Sequence, residues 1–321
     1  MIRTAECVSP MHPDKMCDRI SDTLLDLHLQ QDPNSRVAIE TCGGNGLVYV
    51  TGEVTSNAVV TRENIVKVVH DITTDDTIKV IININSQSPE IANGVDTGGA
   101  GDQGIMIGYA CRDNKQYLPQ EYFLSRELNK FVFDKYPYDG KTQVTMNGNS
   151  LRVVCSFQNA PGKELHKLVM EYFEDYPQYH IESLHCNPAG DWNIGGFTAD
   201  AGLTGRKLAV DNYGPRVPLG GGAFSGKDST KVDRSAAYMG RRIAVDILEQ
   251  RPEVKEVMVQ LAYAIGYDQP LQATAIVDGE HEFIKGYDLS PKGIIDFLEL
   301  RKPIFASTAA FGHMGAGFNW K

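Results

Sequence analysis

Apolar side chains at Ile20, Leu24 and Leu27 recur at helical spacing behind Met11-His12-Pro13-Asp14-Lys15, so a helix is predicted to open there. Pro13 suits its first turn, where φ is already fixed and no N–H is needed. Residues 36–41 and 47–54 alternate apolar and polar with a period of two. Cys42-Gly43-Gly44-Asn45-Gly46 between them supplies a glycine-bearing turn, so the pair reads as a hairpin with Glu40 and Glu53 near opposite ends. A helix over 63–72 and a buried strand over 79–85 follow. Ser86-Gln87-Ser88-Pro89 and the glycine-rich stretch 94–104 then read as loop.

The same patterns predict a strand at 105–110, a helix at 121–133, and strands at 142–146 and 151–157 joined at Asn147-Gly148-Asn149. Leu165, Leu168, Val169 and Tyr172 mark one face of a helix over 162–174. Residues 207–212 form a candidate strand. Ala236, Tyr238, Ile243 and Ile247 predict a helix fed by the glycine loop before it. Strands at 256–264 and 271–277, a helix at 292–300 and a glycine-rich tail from Gly312 complete the chain. Strand pairs and helices thus recur three times without any residue-level repeat. The expected class is α+β, with helices covering one face of antiparallel-rich sheets, in modules over 1–98, 99–195 and 196–321 that exchange segments and pack without a free linker.

Charge changes this picture little. The 321 residues carry a formal net charge of -10, which argues against a general binder of nucleic acid or anionic membrane, since either needs a positive field. Any polyanion must be met locally. Six scattered cysteines without CxxC or metal-ligand spacing read as reduced core residues, and no apolar leader or membrane-length window occurs. A cytoplasmic protein is expected.

Chemistry concentrates in Gly220-Gly221-Gly222-Ala223-Phe224-Ser225-Gly226-Lys227-Asp228-Ser229-Thr230-Lys231-Val232-Asp233-Arg234. A glycine loop feeding a helix start is an anion site. With the helix beginning near Asp228, Lys227 and Lys231 lie one turn apart and repel unless something negative, such as a polyphosphate, sits between them. The run nearly spells a P-loop. However, Asp228 replaces the Ser or Thr of that motif, and the proline-rich 213–218 is no strand. The alternative is a solvated glycine turn before a charged helix.

Four other places set charge beside glycine or a helix start: His12-Pro13-Asp14-Lys15, residues 99–104 with Asp102, Asp139-Gly140-Lys141, and residues 200–207 with Asp200, Arg206 and Lys207. Five such places point to one composite pocket. Together with Val37-Ala38-Ile39-Glu40-Thr41, Gln87-Ser88-Pro89, Tyr263-Ala264-Ile265-Gly266 and 308–313, they make the chain resemble, nearly end to end, the S-adenosylmethionine synthetase (methionine adenosyltransferase) family. The resemblance is to a compact member. It implies three similar modules around a pseudo-threefold axis, and attack of the methionine sulfur on C5′ of ATP. The displaced tripolyphosphate is then hydrolysed to phosphate and diphosphate.

Carried over by position, the resemblance assigns His12, Lys141, Arg206, Lys227 and Lys231 to catalysis, with His12 near the scissile C5′–O bond. The other role open to His12 is that of a helix N-cap. Asp139, Trp192, Asp200, Lys207 and Ala223 join His12, Lys141, Arg206 and Lys227 around ATP; Glu53, Gln87, Asp102, Asp200 and Lys231 surround methionine. Asp14 and Asp233 would hold Mg²⁺, two ions per site, and Glu40 K⁺. Departures from the family are Asp191-Trp192 in place of an Arg-Phe pair, Pro10-Met11 before His12, a short segment between Gln87 and Asp102 where the family has a longer gate, and a short tail. Trp192 can still stack on a base, whereas Asp191 reverses a charge. The trimmed surface suggests a homodimer rather than a tetramer, since the family's active site lies between two subunits. Two other activities fit the same residues: a nucleotide-binding partner subunit without transfer activity, and a triphosphate hydrolase.

Overall fold

The computed structural model describes residues 1–86, 99–315 and 317–321. There are three four-stranded sheets among the described residues, and two of them share one plan. In the first, β2 (Arg36–Gly44) and β3 (Leu47–Thr55) form the predicted hairpin, α2 (Arg62–Thr73) crosses over, and β4 (Lys79–Asn85) returns parallel to β3. In the second, β6 (Gly140–Asn147), β7 (Ser150–Phe157), α4 (Gly162–Glu174) and β8 (His180–Cys186) repeat that order, again with a parallel final strand. The third starts with the hairpin β10 (Glu256–Tyr263) and β11 (Gln272–Val277), then departs. Asp278 and Gly279, both at positive φ, turn the chain straight into an antiparallel β12 (Glu280–Phe283) with no crossover helix.

Each sheet gains its outer strand from a distant part of the chain. β1 (Ile2–Val8) pairs with β6, β5 (Gly104–Cys111) with β10, and the two-residue β9 (Gly202–Leu203) with β2, all antiparallel. A long helix backs each sheet: α1 (Pro13–Gln31), α3 (Gln120–Lys135) and α6 (Val232–Gln250). α1 buries Met16, Cys17, Ile20, Leu24 and Leu25, so the 3.6-residue period seen in the sequence becomes the face packed on β2.

Three predicted elements come out differently. Residues 207–212 are not a strand; α5 (Leu208–Asp211) forms there, because the Lys15 ammonium reaches the Asp211 carboxylate at 2.6 Å in the core and pins a single helical turn. α6 begins at Val232, not near Asp228. The Asp228 carboxylate accepts from the backbone N–H groups of Val37 and Thr230 at 2.7 and 2.9 Å, which holds residues 228–230 in a turn tied to β2. β4 is an edge strand whose residues alternate in exposure rather than a buried one. The glycine-rich tail is no loose end either. Trp320 is fully buried, its ring stacks on Tyr238 of α6 with centroids 3.9 Å apart, and its indole N–H donates to the His313 carbonyl at 2.7 Å.

Candidate active site

The start of α1 gathers the first group of charges. His12 is the N-cap: its Nδ1 accepts from the Asp14 N–H at 3.2 Å. A ring nitrogen that accepts carries no proton, so the proton of the neutral ring is on Nε2, which makes no hydrogen bond among the described residues. Burial, then the positive charges of Lys207 and Lys141, push the imidazole pKa down to about 3. The ring is therefore a neutral donor at any physiological pH. Beside it, Asp14 accepts from the Leu203 N–H at 3.0 Å, pairs with the Lys207 ammonium, and lies 3.6 Å from Arg206 Nε. Burial raises the Asp14 carboxyl, yet Lys207 and the Leu203 N–H outweigh it and hold the group below its usual value.

Asp139, at the foot of β6, accepts from the Gly196 N–H at 3.0 Å; burial raises its pKa, opposed by that N–H and by Lys141. The exposed Asp200 bonds the N–H of Ala201 at 2.8 Å. Trp192 packs its ring on the same turn, where a Cβ on Gly195 would stand 2.9 Å from its Cζ3, and its indole N–H reaches Asn187 Oδ1 at 3.3 Å. Asp191 has a structural use: its Oδ1 accepts from the Gly162 N–H at 2.8 Å, at the start of a helix that Pro161 leaves without a side-chain cap. A carboxylate there suits the positive end of the helix dipole.

The second group lies on the glycine loop. Lys227 Nζ is 2.7 Å from Asp233 Oδ2, and Lys231, now the N-cap of α6, pairs with Asp228. The loop backbone presses on Asp233, since a Cβ on Gly222 would lie 2.2 Å from its Cγ; Gly104 borders the same carboxylate, which brings the exposed Asp102 to that end. Lys227 bridges to Ala38, and Ala38 pairs with Glu53, so Glu53 and Glu40, two residues beyond Ala38 on β2, stand exposed on the open face of the first sheet. Ser225, beside that strand, has a buried hydroxyl with no partner among the described residues. Gln87 and most of the expected gate lie outside the described residues.

The five motifs therefore form two groups, and no ion pair among the described residues joins them. They do abut: a Cβ on Gly205 would stand 2.6 Å from that of Ala223. What spaces them was missed in the sequence. Asp14, Asp18, Asp22 and Asp26 stand at every fourth residue of α1, all buried, and each takes backbone N–H groups of another segment. Asp14 holds Leu203, Asp18 holds Gly205, Asp22 holds Gly226, and Asp26 holds Phe305 and Ala306, at 2.8–3.0 Å. At 1.5 Å rise per residue the supports for Leu203 and Gly226 are roughly 12 Å apart along the helix. Neighbouring like charges in such a row repel; Lys15, 3.0 Å from Asp18, and Arg234, 2.6 Å from Asp22, compensate. The four-residue spacing of aspartates was visible in the sequence, but beyond Lys15 only the apolar positions of this helix were read.

No cluster of three or more His, Cys, Asp or Glu side chains that could hold a metal occurs among the described residues. A divalent ion here would meet one hard carboxylate oxygen from each group and need the rest from its ligand, as suits Mg²⁺ on phosphates. Chemically, the site offers cations and a neutral donor for a departing polyanion, and no nucleophile of its own.

Three family models match in chain order: the N-terminal domain of S-adenosylmethionine synthetase over residues 1–89, the central domain over 97–191 and the C-terminal domain over 194–321. The chain is 38% identical to S-adenosylmethionine synthase 2 of Rhodospirillum rubrum, over 99% of this chain and 94% of that protein. It is 39% identical to the S-adenosylmethionine synthase of Clostridium tetani, over 97% and 93%. Among solved structures, an unusual S-adenosylmethionine synthetase from Campylobacter jejuni superposes with a TM-score of 0.89 at 32% identity, covering 99% of this chain and 96% of that one.

Proposed function

The chain belongs to the S-adenosylmethionine synthetase family, and from that premise we propose how its residues make S-adenosylmethionine from ATP and methionine. The activity is that of a methionine adenosyltransferase. A lone pair on the thioether sulfur forms the S–C5′ bond as the C5′–O5′ bond breaks, and the bonding electrons leave on the tripolyphosphate. Water then splits that product into phosphate and diphosphate. A neutral thioether is a weak nucleophile, so the barrier falls mainly through alignment and through stabilisation of charge on the leaving group.

His12 donates its Nε2–H to the departing oxygen, and Lys141, Arg206, Lys207 and Lys227 surround the phosphates. Trp192 stacks on adenine, with Asp139 and Ala223 against the nucleotide. Glu53, Gln87, Asp102, Asp200 and Lys231 take the methionine amino and carboxylate groups. Asp14 and Asp233 would hold two Mg²⁺ and Glu40 a K⁺; when bound, these ions neutralise phosphate charge and fix the pocket electrostatically. Since Glu40 and Glu53 stand exposed on the open face of their sheet, the complete site is proposed to form where the first group of one copy meets the second group of another, in a homodimer. A cytoplasmic setting accords with six free cysteines.

The observation that carries this reading is a neutral, buried histidine ringed by Lys141, Lys207 and the Arg206–Asp14 pair. Purified protein with ATP, methionine, Mg²⁺ and K⁺ is expected to release S-adenosylmethionine, phosphate and diphosphate in equal amounts. Phosphate without the sulfonium product would instead identify a triphosphate hydrolase, and binding without turnover a partner subunit.

A further inference from the structure

A buried ion pair lies against the backbone of Lys227. Asp22 and Arg234 are both fully buried and face each other in a two-pronged contact, Arg234 Nη1 to Asp22 Oδ1 at 2.6 Å and Nη2 to Oδ2 at 2.8 Å. The pair grips the backbone on either side of the peptide joining Gly226 to Lys227. Asp22 Oδ1 accepts from the Gly226 N–H at 2.8 Å, and Arg234 Nη1 donates to the Lys227 carbonyl at 3.0 Å. Gly226 itself has φ 82°, and a Cβ there would meet the Ile39 carbonyl oxygen at 1.8 Å, so this backbone fits only as glycine and only against β2. Arg234 is fixed from behind by Tyr238, Thr308 and the face of the Phe305 ring. It also follows Asp233, whose carboxylate meets the Lys227 ammonium at 2.7 Å.

We infer that Asp22 and Arg234 are positioning residues for Lys227: the ion pair sets the lysine backbone, and through Asp233 its side chain, before any triphosphate arrives. This rests on the proposed phosphate role of Lys227. A two-pronged Arg–carboxylate contact supplies geometry as well as energy, which a lysine in either role would not. A lysine displaced by about 1 Å loses on the order of a hundredfold in rate.

The test is a double-mutant cycle on kcat/KM for ATP, in variants shown by circular dichroism to be folded. Asp22→Asn is expected to lower kcat/KM for ATP by about a hundredfold. In the Lys227→Ala background it should cause little further loss, because both changes remove the same interaction. If Asp22→Asn does not fold, Arg234→Lys takes its place. It keeps a charge opposite Asp22 but cannot also hold the Lys227 carbonyl, and the same non-additive loss is expected. Full activity in the folded variant, or a loss that multiplies with that of Lys227→Ala, overturns the inference and leaves a purely structural ion pair. Normal turnover of Lys227→Ala alone instead overturns the phosphate role of Lys227, and this inference with it.

Discussion

His12 shows how one side chain serves structure and chemistry together. Its Nδ1 caps α1, and that bond leaves the proton on Nε2, where the substrate oxygen is proposed to sit. The sequence set these two roles against each other, whereas the ring has one nitrogen for each. Removing the donor in His12→Ala is expected to cost about 100- to 1000-fold in kcat, with His12→Asn retaining part of the rate through its amide. Because the pKa is pushed down to about 3, kcat should show no limb near pH 6.5 that depends on His12. A histidine-like limb in the pH profile of kcat, lost in His12→Asn, would contradict the neutral-donor role. Stability follows the same shift. The unfolded ring binds a proton near its ordinary value of 6.5 and the folded ring resists until about 3, so the contribution is full above pH 6.5 and is lost as pH falls through that window.

At the scale of elements, the apolar periodicity was legible because core burial follows it directly. Residues 162–174 read from the sequence match α4, and Pro13 opens α1 as expected. The misread elements are those set by distant polar contacts: α5 by Lys15 from another part of the chain, and the start of α6 by Asp228 bonded to β2. No local pattern reports such partners. β1, β8, β9 and β12 also went unread, being edge strands with mixed side chains. The candidate site was legible as motifs, since glycines beside charges are local; the four-aspartate row that spaces them lay in the same helix and needed only a second, polar reading.

The tail was the other silent element. Trp320 stacks on Tyr238, and the Lys321 carbonyl accepts from the buried Arg241 at 2.8 Å, so these residues clamp the helix that carries Asp233 and Arg234. Trp320→Ala is expected to lower unfolding free energy by about 3–5 kcal/mol. Urea denaturation would show it as an earlier midpoint with an unchanged slope; a midpoint equal to the parent's would deny the tail that role.

For the molecule as a whole, the threefold recurrence visible along the sequence becomes three four-stranded sheets, each built on a hairpin and completed by a strand from elsewhere in the chain. That exchange explains why charged motifs far apart in sequence meet: β1 leads into His12 while pairing with β6, whose second residue is Lys141. It also leaves the charges in two groups that border each other at Gly205 and Ala223. Glu40 and Glu53 project from the open face of their sheet while α1 covers the other, so the second group looks outward from its own chain.

The two groups are proposed to meet across two copies of the chain. That can be checked by mixing, unfolding and reassembling two variants expected to be inactive, Lys207→Ala in the first group and Asp233→Ala in the second. A shared site predicts that half the dimers are mixed and each regains one intact site, restoring about a quarter of parental S-adenosylmethionine synthesis. Activity no higher than that of either variant alone would mean that the site is built within one chain.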